Sequence, residues 1–203
     1  MKKTMIAAVA LSLLAGAAVA QQSPWMVRVR AVQLNMDNQD GTGLGLGVND
    51  KTIPEVDVSY FLTPNVAAEL VLTVPQSQRV HSGALAADAG TFKHLPPTLM
   101  LQYHFTGWQG FKPYVGLGYN YTRISSVNMD PASSALGAKV SLDNHSTGVA
   151  YQVGVDFPID KQWSVNLDVK KIQIKTQVYA DGVSAGTLKL DPMLLGVGLG
   201  YRY

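Results

Sequence analysis

The sequence predicts an all-β fold, an eight-stranded antiparallel transmembrane β-barrel. Three observations predict it: a period of two from residue 25 onward, an alternation of tight turns with long loops, and aromatic residues gathered near one set of strand ends. The composition agrees. Charged residues make up 15% of the 203-residue chain, below the ~25% of an ordinary soluble domain, yet mean hydropathy is only +0.08. Few charges at near-neutral hydropathy require apolar and polar residues to be interleaved, as in a sheet with lipid on one face and a wetter space on the other. The same figures argue against a multi-helix membrane protein.

The chain opens like an exported protein. Lys2 and Lys3 precede an apolar run from Met5 to Ala15, and Ala18-Val19-Ala20 offers small residues where a signal peptidase reads. Cleavage is expected after Ala20, because the run is shorter than the ~20 residues that span a bilayer. Residues 21–203 then form the barrel. Of 16 Lys and Arg and 14 Asp and Glu, the signal takes two lysines and no acid. The mature chain is therefore electrically neutral, and nucleic acid is not an expected partner. Cysteine is absent, so stability has to come from packing or sheet closure rather than disulfides.

The eight alternating segments run at about 25–36, 53–62, 66–74, 95–105, 111–124, 146–157, 163–178 and 188–203. The sixth is the cleanest: Thr147, Val149, Tyr151, Val153, Val155 and Phe157 alternate with small or polar residues. Connections at Thr63-Pro64-Asn65, 106–110 and 158–162 are tight, whereas 37–52, 75–94, 125–145 and 179–187 are long, the pattern of an outer-membrane barrel. A soluble lipocalin-type barrel would alternate equally well with its faces reversed. Aromatic placement decides between them. Trp25, Tyr60, Tyr103, Phe105, Phe111, Phe157, Trp163, Tyr201 and Tyr203 fall near the short-turn ends with the parity of the apolar face, which makes an interfacial girdle.

Five stretches carry a family resemblance: Trp25-Met-Val-Arg-Val-Arg30, Lys93-His-Leu-Pro-Pro-Thr98, Phe111-Lys-Pro-Tyr-Val-Gly-Leu-Gly-Tyr119, Phe157-Pro-Ile-Asp160 and Asp191-Pro-Met-Leu-Leu-Gly-Val-Gly-Leu-Gly-Tyr201. In this order they resemble the OmpW family of small outer-membrane proteins, which includes the alkane-uptake protein AlkL. The resemblance covers essentially the whole mature chain. It implies uptake of small hydrophobic compounds with sideways release into the bilayer.

With termini and short turns on the periplasmic side, inward positions divide by height. The periplasmic half holds Arg28, Arg30, Asp57, Glu69, Gln102, His104, Lys112, Tyr114, Asp156, Asn166, Asp168 and Arg202. A barrel of eight strands is narrow enough for side chains to fill it, so these read as a self-neutralising plug, with Gly198 and Gly200 making room for Arg28 and Arg30; the bland alternative is a solvated lumen. The extracellular half holds Val32, Leu34, Met36, Ile53, Met100, Ile172, Ile174, Leu190 and Leu194. Apolar residues here either pack on each other or leave a ligand pocket, and the family resemblance favours the pocket.

Other constellations are weak. His81, His94 and His145 lie on the long-loop side and could in principle meet at a metal, but loop histidines are usually just solvated, so no metal is expected. Serine, histidine and acids show no nucleophile elbow or other catalytic spacing, so no enzyme and no cofactor is expected. Gly41 to Gly47 is a flexible loop with no helix after it to cradle phosphate. The expected partners are small hydrophobic molecules, outer-membrane lipid and lipopolysaccharide, and the barrel-assembly machinery. Pro54, Pro96, Pro97 and Pro192 lie in extracellular strand halves, where a missing N–H weakens pairing or merely marks a strand start. Two rival roles are a narrow ion-conducting pore and a loop-based surface for adhesion, phages or bacteriocins.

Overall fold

The structure, a computed structural model, describes residues 23–203; the expected export signal and its expected cleavage point lie outside the described residues. In chain order the elements are β1 (Trp25–Asn35), β2 (Gln39–Asp40), β3 (Leu46–Val48), β4 (Lys51–Phe61), β5 (Val66–Thr73), β6 (Gln76–Ser82), β7 (Ala87–Leu95), β8 (Thr98–His104) and β9 (Lys112–Asn128). There follow α1 (Asp130–Leu136), β10 (Val140–Leu142), β11 (His145–Pro158), β12 (Trp163–Ile172), β13 (Lys175–Ala180), β14 (Val183–Lys189) and β15 (Met193–Arg202).

Eight of these strands close a barrel: β1 pairs β4, and the order continues through β5, β8, β9, β11, β12 and β15 back to β1, every pair antiparallel. Closure leaves this wall no free edge, as a sheet in lipid requires. The faces are those of a membrane barrel and not of a lipocalin. Val29, Leu101, Leu117, Val153 and Val197 are exposed on the outside, whereas Arg28, Glu69 and Gln152 are buried inside. An apolar exterior around a charged interior is stable only when lipid covers the outside.

The short-turn rim carries the girdle. Trp25 meets Tyr60 edge-on at 4.8 Å, Trp163 meets Tyr201 at 4.9 Å, and Tyr201 meets Tyr203 at 4.8 Å. Tyr119, Tyr121 and Tyr151 are exposed toward the other rim.

The long connections are more ordered than the sequence suggests. The β6–β7 hairpin rises above the barrel, joins the upper end of β9 and carries β3 on its far side. A second sheet, in the order β10-β13-β14-β2, stands apart from it. The segments expected at 163–178 and 188–203 are each broken. β12 stops at Ile172 and β13 starts at Lys175, because Ile174 N–H leaves the ladder and donates to Asp191 Oδ1 at 2.9 Å. Asp191 itself has φ of +32° and precedes Pro192, which together turn the chain between β14 and β15.

Candidate functional site: a charged lumen beneath an apolar mouth

Strand β1 spans the whole lumen with alternate residues. Arg28, Arg30, Val32 and Leu34 all point inward and are buried, so the interior changes from ionic to apolar within one two-residue step.

Below that step lies an ion-pair network. Arg28 makes a two-point contact with Asp156, Nε to Oδ1 at 3.2 Å and Nη2 to Oδ2 at 2.8 Å. Its Nη1 reaches Asp57 at 3.2 Å, Ser59 at 3.0 Å and Glu69 at 3.5 Å. Arg30 donates to Asn166 at 2.6 Å and to Glu55 at 2.9 Å, pairs with Asp57, and reaches Glu69 at 3.4 Å. Lys170 bridges Glu55 at 2.8 Å and Asp168. Planar guanidinium groups suit this role because each offers five fixed donors to several carboxylates at once.

Neutral groups link the charges. The Tyr114 hydroxyl donates to Asp168 at 2.7 Å and accepts from Asn166 at 3.0 Å. Gln152 donates to Glu69 at 3.0 Å and Asp168 at 2.8 Å, and it accepts from Gln102 at 2.9 Å. His104 pairs with Gln102 at 3.0 Å and stacks on Tyr114 with ring centroids 4.9 Å apart. Backbone must also yield. Gly198 lies opposite Arg30, and a Cβ there would fall 2.0 Å from the Val29 carbonyl oxygen, so only glycine lets β15 approach this close.

Of the charged residues named from sequence, Arg28, Arg30, Asp57, Glu69, Asp156 and Asp168 are brought together. Lys112 and Arg202 stand apart at the periplasmic end, where with Met26, Phe61 and His104 they line a cavity of about 200 Å³. There the Arg202 guanidinium lies 3.8 Å over the Phe61 ring. Sequence reasoning missed Glu55 and Lys170. Both had the signal that finds them, the parity of Asp57 and Asp168, but they sit at the boundary between the two height classes.

Above the step, Val32, Leu34, Ile53, Met100, Ile172, Ile174, Leu190 and Leu194 belong to one apolar cluster, with Met36 packed against it. The cluster continues upward into the extracellular sheets through Leu46, Val48, Val80, Phe92, Val178 and Leu188. These residues pack on one another and are buried, and the apolar upper interior is thus walled by strands that read as loops in the sequence. The three long-loop histidines do not converge: His94 is buried on β7, whereas His81 and His145 are exposed, and among the described residues no group of three metal-ligating side chains forms.

Known proteins share this architecture. A sequence model of the OmpW family matches residues 15–203. The chain is 41% identical over 189 residues to the uncharacterized outer-membrane protein y4mB of Sinorhizobium fredii, covering 89% of this chain and 80% of the relative. It is 33% identical over 214 residues to outer membrane protein W of Escherichia coli, covering 100% of both. A Pseudomonas relative, the dibenzothiophene metabolism operon protein DoxH, is 24% identical over 215 residues, covering 100% of this chain and 99% of that one. Among solved structures, OprG from Pseudomonas aeruginosa superposes with a TM-score of 0.76 at 25% identity, covering 90% of this chain and 97% of that one. AlkL in lipid bilayers shares the fold with a TM-score of 0.66 at 20% identity, covering 93% and 94%.

Proposed function

The chain belongs to the OmpW family and its barrel stands in the outer membrane; from that premise we propose that it carries small hydrophobic compounds from the cell exterior into the bilayer. The observation that carries this reading is the two-residue step from Val32 to Arg30. Above it, an apolar molecule sheds water against Leu34, Met100, Ile172 and Leu194, at a gain of about 25 cal/mol per Å² of apolar surface. Below it, onward passage would have to part Arg28 and Arg30 from their carboxylates, and breaking one buried ion pair costs roughly 3–5 kcal/mol. Sideways exit is the cheaper path. The Pseudomonas relative named for dibenzothiophene metabolism supports an apolar aromatic cargo.

We assign the exit to the seam between β5 and β8. Their ladder ends at Val71 opposite Thr98, and Pro96 and Pro97 just before β8 offer no N–H to extend it. Export with cleavage after Ala20 and recognition of Leu199, Tyr201 and Tyr203 by the barrel-assembly machinery complete the reading. N-terminal sequencing of the membrane form tests the former.

The transport reading is tested by naphthalene entry into cells with and without the barrel; equal entry overturns it. The seam has its own test. Because the chain has no cysteine, Val71→Cys with Thr98→Cys gives one pair to oxidise. Entry should fall on oxidation and recover on reduction, and equal entry in both states would remove the seam. A steady ionic conductance through the unmodified barrel would favour a pore.

A further inference from the structure

A polar cavity of about 370 Å³ lies on the upper wall beside β11, lined by residues that include His145, Thr147, Lys175, Thr187 and Lys189. It begins where the lipid-facing surface ends. Thr147 lies directly opposite Tyr121, one of the exposed tyrosines of the outer rim, and the His145 ring stacks on Tyr121 with centroids 6.2 Å apart.

The charges around this cavity are arranged against their own interest. Lys175 on β13 and Lys189 on β14 face each other directly, and like charges in that position destabilise a sheet. Neither Lys175 nor Lys189 is in an ion pair among the described residues, unlike Lys170 and Lys171. The cavity's one carboxylate, Asp143, instead accepts the Tyr179 hydroxyl at 3.2 Å. The row extends sideways. Arg123 is directly opposite His145, and Lys93 lies one diagonal step beyond Arg123 on β7; all of these cations are exposed. Neighbouring strands are ~4.8 Å apart, so one anion can reach cations from two of them.

We propose that this row binds the phosphate of a phosphorylated glycolipid headgroup in the outer leaflet. An anion between Lys175 and Lys189 removes their repulsion, and the hydroxyl of Thr147 lies beside it as a neutral donor. The position selects a lipid over a soluble phosphate: acyl chains hanging from a headgroup here would lie along Tyr121, Tyr119 and Leu117, an exposed apolar column on β9. The lining also argues against this cavity as the cargo exit, since an apolar molecule leaving past two lysines gains nothing. The assignment rests on placement in the outer membrane and is independent of the cargo.

The test uses the full barrel in phosphatidylcholine nanodiscs doped with either bisphosphorylated or dephosphorylated lipid A, with retained lipid counted by native mass spectrometry. The wild type should retain the bisphosphorylated form at least tenfold better. Lys175→Gln with Lys189→Gln should abolish that preference, whereas Lys139→Gln, outside the row, should keep it. Equal retention of the two lipids by the wild type overturns the proposal, and this comparison stands even if the double variant fails to fold. A folded double variant with undiminished preference also overturns it. Saturable binding of inorganic phosphate without any lipid A preference would assign the cavity to a soluble anion and overturn the lipid assignment. Loss of naphthalene entry in every variant would bear on the transport reading alone.

Discussion

Tyr114 on β9 and Gly154 on β11 stand directly opposite each other, and the phenol occupies the space that a side chain at Gly154 would need. A Cβ there would lie 2.2 Å from Tyr114 Cζ and 2.3 Å from its hydroxyl oxygen. The ring has little freedom to retreat, since its hydroxyl is bonded to Asp168 and Asn166 and its face stacks on His104. Gly154→Ala should therefore displace the phenol and loosen the network, at roughly 1–3 kcal/mol for an overpacked site. Urea unfolding in lipid vesicles should show a lower midpoint, and planar-bilayer recording a larger leak. No change in either would mean that Tyr114 is not a fixed part of the plug.

Arg30 has three carboxylate partners in the lumen, Glu55, Asp57 and Glu69, as many as Arg28. Arg30→Ala leaves those acids facing each other with Lys170 and Arg28 as the remaining cations. The expected loss is roughly 3–5 kcal/mol if the site stays dry, and less if water enters. Water entry would itself appear as ionic conductance. A variant with wild-type unfolding midpoint and wild-type leak would show that the lower lumen is merely wet.

The barrel was legible because its signal is local. Each wall strand keeps lipid on one side for its whole length, so residues such as Val149, Tyr151 and Val153 report their environment through parity alone. The extracellular strands lack such a uniform environment. In β12 and β13 the inward residues Ile172, Ile174, Thr176 and Val178 keep one parity straight through the break, so nothing in the alternation reveals that the chain leaves the barrel at Gln173. Glu55 and Lys170 were hidden differently: their parity was right, but a charge at the level of apolar neighbours makes sense only once the partner across the lumen is known. That partner, for both, is the other.

His94 on β7 predicts a pH dependence of the extracellular hairpin. Burial, reinforced by the Lys51 charge, pushes its pKa down to about 4 from 6.5. Above about pH 6.5 it is neutral folded or unfolded and has no effect. As pH falls toward 4 the unfolded segment takes up a proton that the folded one refuses, so stability declines across that window and levels off below it, by up to about 3 kcal/mol. Limited proteolysis of the β6–β7 hairpin should accelerate between pH 6 and pH 4, and His94→Phe should flatten the profile. An unaltered profile in the variant would place the acid sensitivity elsewhere.

The apolar mouth predicts which substitutions stop uptake without opening a pore. Leu194 and Ile174 are buried in the cluster above the ion pairs; Leu194 stands directly opposite Lys170, at the top of the charged network, whereas Ile174 lies beyond it. A carboxylate at Ile174 cannot be buried unpaired without a cost of several kcal/mol, so it draws in water, and one at Leu194 adds a charge beside Lys170 that likewise holds water where the cargo would sit. Leu194→Asp and Ile174→Asp should each cut naphthalene entry severalfold or more, because the cargo then has to displace bound water. Ionic leak should stay low, because Arg28, Arg30 and Lys170 with their carboxylates still fill the lumen below. The two readouts separate the causes. A collapse of the whole barrel would abolish heat-modifiable migration on gels, and a breached plug would raise conductance; loss of uptake with both unchanged locates the cargo in the mouth. Wild-type uptake in both folded variants would show that hydrophobic compounds do not pass between these residues, and a role for the extracellular sheets as a binding surface would then be the better account.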